Sequence, residues 1–150
     1  MRVEREVVIK ASREAVWGFL WDVPRLAACI QGAKDVRVVE EKKRYTALVG
    51  EKVGPFRVEF PLEIEVLEAR APERLRARAG GKDGKMDGIV KVELDLSLTE
   101  AGAGTNLRLS ANISVLGKLG TLGHSVIVRK GNDIVERFAA AVRAEMENKG

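Results

Sequence analysis

Residues 56–66 read FRVEFPLEIEV, with Phe56, Val58, Phe60, Leu62, Ile64 and Val66 apolar and Arg57, Glu59, Pro61, Glu63 and Glu65 between them. A period of two predicts a strand with one dry face and one wet face. The alternation returns at 90–98, where Val90, Val92, Leu94, Leu96 and Leu98 oppose Lys91, Glu93, Asp95 and Ser97. At 106–115, Leu107, Leu109, Ala111, Ile113 and Val115 oppose Asn106, Arg108, Ser110, Asn112 and Ser114. At 74–79, Leu75, Ala77 and Ala79 oppose Arg74, Arg76 and Arg78. Weaker versions at 3–9, 34–40 and 44–53 bring the expectation to about seven strands. Between them lie Glu41-Lys42-Lys43, Gly54-Pro55, Ala71-Pro72, Gly81-Lys82-Asp83-Gly84 and Ala101-Gly102-Ala103-Gly104. These short, turn-like connections favour antiparallel hairpins over crossover units.

Two regions switch to a helical period. Ser12 is the expected N-cap of a first helix, with Glu14 in its first turn and Val16, Phe19, Leu20 and Val23 as its stripe. Asp22 and Pro24 restart a short second helix through Arg25-Leu26-Ala27-Ala28. From roughly 118 to 147 the spacing predicts one long helix. Ile127, Ile134, Phe138, Ala141 and Val142 form its apolar side, and Arg129, Asp133, Glu136, Arg137, Arg143 and Glu147 its polar side.

The order strand, two short helices, further strands, long helix predicts an α+β fold. A helix is about 10–12 Å across, whereas seven strands at about 4.8 Å apiece span far more. The sheet must therefore curl, and curling leaves a gap. Small inward residues (Ala77, Ala79, Gly81, Gly88) mean either close helix packing or empty volume, and the low aromatic share of 5% favours the hollow. Its expected lining comes from Tyr45, Val49, Glu51, Val58, Phe60 and Leu62 on the earlier strands. Leu75, Ala77, Ala79, Val90, Val92, Leu94, Leu109 and Ile113 follow on the later ones, with Ile127, Gly131, Ile134 and Phe138 on the helix.

Two of these residues break their own pattern. Gly131 falls mid-helix, where it costs about 1 kcal/mol relative to Ala. It is either a tolerated glycine at a small kink or room for a ligand. Glu51 is sent inward by strict alternation, and a lone buried carboxylate is costly. It therefore belongs near an open rim, or is displaced by a bulge at Gly50, or meets a ligand headgroup together with Tyr45.

Composition narrows the function classes. With 150 residues, 45% apolar and 32% charged, the chain fits one soluble globular domain. Its 26 basic and 22 acidic residues leave +4, too mild an excess to argue for nucleic acid. The single cysteine, Cys29, allows no internal disulfide. The opening MRVEREVVIK has no signal-peptide character, and nothing approaches the roughly 18 unbroken apolar residues of a membrane span. A cytoplasmic protein is expected. His124 is the only histidine, and no Ser/His/Asp or Cys/His set is readable. One His and one Cys make a poor metal site. Gly102-Ala103-Gly104 lies between strands and reads as a hairpin, not a dinucleotide loop. No catalytic residue, metal or cofactor is expected.

Two surface features remain open. Arg74, Arg76 and Arg78 form a basic row that either pairs with glutamates of the next strand or receives anionic lipid or an acidic protein. Trp17 and Trp21, four apart on the first helix, either pack within the domain or form a membrane-touching edge.

Four stretches taken together resemble a known family: AVWGFLWDVPRLAACIQGAKDV (15–36), VGPFRVEF (53–60), GAGTNLRLSANISV (102–115) and LGKLGTLGHSVI (116–127). The sequence is similar to the carbon monoxide dehydrogenase G-subunit (CoxG) family of the START-like, or SRPBCC, superfamily. The resemblance implies a helix-grip fold, a curved antiparallel sheet closed on a long C-terminal helix around a cavity for hydrophobic ligands. It also implies a non-enzymatic accessory that recruits a molybdenum hydroxylase of the carbon monoxide dehydrogenase type to the membrane, at its inner face, and carries a lipid or quinone. Rival readings from the same superfamily are a docking adaptor without ligand transport and a small cyclase or hydrolase, for which Glu51 and Tyr45 would supply the acid–base groups. The sequence departs from the family at Gln31-Gly32, where Pro-Gly is usual. It also ends at Gly150, so anchoring by a C-terminal extension is not expected.

Overall fold

The computed structural model of the chain describes residues 1–83 and 88–147. Its strands are β1 (Arg2–Ile9), β2 (Ala33–Glu40), β3 (Arg44–Val53), β4 (Phe56–Arg70), β5 (Arg74–Asp83), β6 (Gly88–Ala101) and β7 (Gly104–Gly117). They form one sheet in the order β1-β7-β6-β5-β4-β3-β2, with every neighbouring pair antiparallel. Between β1 and β2 sit α1 (Arg13–Leu20) and α2 (Val23–Ala28), and α3 (His124–Glu147) follows the last strand. The caps are the expected ones: Ser12 Oγ accepts the Ala15 N–H at 3.1 Å, and Asp22 Oδ1 accepts the Arg25 N–H at 3.4 Å.

The contacts of α3 show that the sheet is curved. On one side Gly131 of α3 lies against Met1, Val3 and Ile113, at the β1–β7 end of the sheet. On the other side Lys130 of the same helix reaches Glu51 of β3 at 2.5 Å. β1 and β3 are five strand positions apart, about 24 Å in a flat sheet. A helix about 10–12 Å wide meets both only if the sheet wraps around it.

Several expectations need correction. The long helix begins at His124, because Lys118–Leu122 is a separate 3-10 turn and Gly123, at φ +101°, breaks the chain between them. Leu119 of that turn is held against the sheet: a Cβ on Gly88 would stand only 2.9 Å from the Leu119 Cβ. The buried stripe of α3 is also rotated, and its members are Gly131, Val135, Ala139 and Val142. Ile134 is 37% exposed. Small residues let the helix approach the sheet, so the contact seam is made of them and the larger side chains flank it. Val23 belongs to α2 rather than to the stripe of α1, which stops at Leu20. Lastly, Gly81, Lys82 and Asp83 continue β5 rather than turning, and Gly84 lies outside the described residues.

The edge between β4 and β5 explains why Gly81 is not a turn. Regular pairing starts only at Glu63↔Gly80. Pro61 has no N–H to offer, and Gly81 packs so close that a Cβ would meet the Pro61 carbonyl oxygen at 2.5 Å. Beyond it the buried Asp83 carboxylate takes over, accepting the Glu59 N–H at 2.7 Å. A side chain thus stands in for a missing ladder bond.

Candidate functional site

The buried apolar residues inside the sheet fall into two groups, joined along β6 and β7 by half-buried Val90, Val92, Ile113 and Val115. A first core gathers Val3, Ile9, Val16, Phe19, Leu20, Leu96, Leu98, Leu107, Leu109, Ala111, Val135 and Val142 under α1 and the later part of α3. A second core holds Val53, Val58, Phe60 and Leu119, with Leu122 and Val126 packed on it. Tyr45, Val49, Ile64, Val66 and Ala79 are half-buried inner-face residues that belong to neither. The change is visible along single strands. On β6, Leu98 and Leu96 are buried while Leu94, Val92 and Val90 are half-buried. On β7, Leu107, Leu109 and Ala111 are buried while Ile113 and Val115 are half-buried. Solvent therefore reaches the apolar middle of the concave face.

The expected lining residues divide accordingly. Tyr45, Val49, Ala79 and Ile127 are half-buried and free of both cores, and Ala77 is buried outside them. Leu75, Val92, Leu94, Ile113 and Phe138 lean on the first core, Leu62 and Val90 on the second. Leu109, Val58 and Phe60 are packed inside a core. The space left by Gly131 is taken up, since a Cβ there would meet Met1 Cε at 3.2 Å and Ile113 Cδ1 at 3.3 Å. Gly81 and Gly88 are likewise close-packing positions, so only Ala77 and Ala79 among the four small inward residues border the middle. The Tyr45 hydroxyl is engaged at the β2–β3 turn, where it accepts the Lys42 N–H at 2.8 Å.

Glu51 does point inward, and it has company. Its carboxylate meets Lys130 Nζ at 2.5 Å and Arg137 Nη2 at 3.4 Å. Arg137 also bonds Asp133 at 3.0 Å and donates to Gln31 Oε1. Lys130 lies 3.8 Å from Asp133. Gly50 carries no bulge, because β3 and β4 stay in register through Gly50↔Glu59 and Glu51↔Val58. The cluster stands beside an open cleft of about 840 Å³ whose lining includes Glu51 and Val58 of the inner face and Lys34, Arg57 and Glu59 of the outer face. Lining from both faces marks a rim. The sequence pattern places Arg137 on the solvent side of the helix and singles out neither Lys130 nor Gln31 as a partner for Glu51. One signal points to Lys130, though none to Gln31: Lys130, Asp133 and Arg137 share one helix face, at spacings that let charged side chains meet.

The surface candidates have partners. Arg74 makes two bonds to Asp95, at 3.1 and 2.6 Å, and Arg78 reaches Glu65 at 2.8 Å. Arg76 stands across from Glu68 and Asp95 in the register. Hydrogen bonding from Arg74 holds the Asp95 carboxyl below its usual range. Trp17 and Trp21 meet edge to face, 5.9 Å between centroids, with the Lys42 ammonium 5.6 Å over Trp21. Cys29 is buried, and burial raises its thiol pKa. His124 is exposed at the start of α3. Among the described residues no His, Cys, Asp and Glu side chains gather into a metal-holding group, and no helix is long and apolar enough to cross a membrane.

The family model of the carbon monoxide dehydrogenase G-subunit (CoxG) matches residues 6–147. Among solved structures, a conserved protein from Geobacillus kaustophilus is 22% identical, covering 99% of this chain and 96% of its own, with a TM-score of 0.88. A protein from Thermus thermophilus is 20% identical over 100% and 99%, with a TM-score of 0.73. A START superfamily protein from Mycobacterium smegmatis is 16% identical over 99% and 99%, with a TM-score of 0.71. At these identities the likeness is one of fold. No curated protein matches the sequence.

Proposed function

Since the chain belongs to the carbon monoxide dehydrogenase G-subunit (CoxG) family, we propose that it is a non-enzymatic carrier whose hollow interior takes a lipophilic molecule, a lipid or quinone. It would serve a carbon monoxide dehydrogenase-type molybdenum hydroxylase at the inner face of the membrane. The observation that carries this reading is the set of half-buried inner-face residues Val49, Ile64, Val66 and Ala79, which belong to neither apolar core. Each side chain left half wet there forgoes part of the roughly 1.5–3 kcal/mol that full burial contributes. A guest with an apolar body would restore it. The START-like fold and the CoxG membership both support a binding or accessory role.

Docking without a cargo is the rival. Its expected elements are already partnered: Arg74 and Arg78 by Asp95 and Glu65, Trp17 by the first core and Trp21 by Trp17 and Lys42. Native mass spectrometry on the protein isolated from its own host separates the two readings. A carrier arrives with a bound lipophilic mass that is lost in Ala79→Trp. Protein that is always empty, and that takes up neither lipids nor quinones when they are offered, would overturn the carrier reading.

A further inference from the structure

We infer that Glu51, Lys130, Arg137 and Gln31 form the headgroup site of this carrier, and that the group it reads is neutral and hydrogen-bond accepting, such as a ketone, ester or quinone carbonyl. The inference rests on the carrier reading and adds a specificity element to it.

The neighbours of Glu51 on the inner face are apolar: Val49 and Val53 along β3 and Val58 across the ladder. Its side chain is only 14% exposed, and Lys130 and Arg137 are held at 23% and 33%. An ion cluster in such surroundings gives the fold little that apolar packing of the same volume would not, which leaves it available for a use beyond stability. The charges are two cations, Lys130 and Arg137, against two carboxylates, Glu51 and Asp133. Within the cluster they sum to zero, and the cleft beside it adds Lys34, Lys52 and Arg57 against Glu59 and Asp83, so an anion meets at most one charge of net attraction. One donor, by contrast, is left over: Arg137 Nε is sealed from water with no acceptor. A small turn of the Arg137 side chain would present that donor to a carbonyl at the end of an apolar chain lying along Val49, two residues from Glu51 on the same face of β3. A neutral acceptor fits both the charge balance of the cluster and its one spare donor.

Three probes with similar chains and different ends test this: dodecane, methyl undecyl ketone and dodecanoate, titrated by calorimetry or competition against a fluorescent alkyl dye. The wild-type protein should prefer the ketone to the other two. In Arg137→Met and in Lys130→Met the ketone should lose about tenfold in affinity, the equivalent of one charge-assisted hydrogen bond, while dodecane is unchanged. Glu51→Gln leaves the cluster one positive charge in excess, and preference should move toward dodecanoate. A merely structural strut would weaken all three probes alike. Equal losses, or an unchanged preference in every variant, would overturn the headgroup site while leaving the carrier standing. Failure of all three probes to bind wild-type protein would remove both.

Discussion

Ala79 and Ala111 offer a direct comparison between the half-buried inner face and the core. Both are inward alanines in the same sheet, but Ala79 is half-buried outside either core while Ala111 is 2% exposed inside the first. Ala79 faces Ile64 and Val92 across its two ladders, each itself half-buried. Ala111 sits between Val3 and Leu94. Leucine adds three carbons, contributing about 0.8 kcal/mol each when fully buried. With burial only partial, Ala79→Leu should stabilise by about 1 kcal/mol. Ala111→Leu forces extra volume into a filled site and should cost about 1–3 kcal/mol. Urea unfolding followed by circular dichroism reads both as midpoint shifts at constant slope. In a chain of this length each kcal/mol also moves the melting temperature by about 2–4 °C. Should Ala79→Leu lose as much stability as Ala111→Leu, the middle of the sheet is already filled and the reasoning fails.

Two more outcomes follow from single contacts. Gly88→Ala would press a methyl group against Leu119 and should destabilise by about 1–3 kcal/mol through the second core; an unfolding midpoint equal to wild type would show that the 3-10 turn gives way freely. Asp95 has its folded pKa lowered by the Arg74 hydrogen bonds, so the stability it contributes is present above its unfolded value of about 3.9 and is lost as pH falls through the lower folded value. The gap in stability between wild type and Asp95→Asn should therefore be widest near neutrality and close below pH ~4. A gap that stays constant with pH would contradict the pairing.

The sheet is legible because a period of two survives almost unbroken in 56–66, 90–98 and 106–115, where one face is wet throughout. The departures have a common physical source. Hydrophobic pattern ranks side chains by size and polarity, but close approach selects small ones. Gly131 and Ala139 therefore make the seam of α3, and the bulkier Ile134 is left exposed. Leu119 and Leu122 extend the helical spacing, yet they serve as anchors of a 3-10 turn ended by Gly123. Gly81 reads as a turn residue because its reason for being glycine, the Pro61 carbonyl oxygen, lies on another strand. Glu51 stands out in the sequence as an anomaly of β3. Its partners do not, since Arg137 lies 86 positions further along the chain and only the curl of the sheet brings the two together.

Methyl-resolved NMR during a titration with dodecane tests the hollow interior most directly. The predicted result is saturable shifts confined to methyl groups of the half-buried middle, those of Val49, Ile64, Val66 and Val92, while Leu98 and Leu107 in the first core stay where they are. No saturable shift at the middle residues, or shifts that spread only over exposed positions such as Val39 and Leu116, would contradict it.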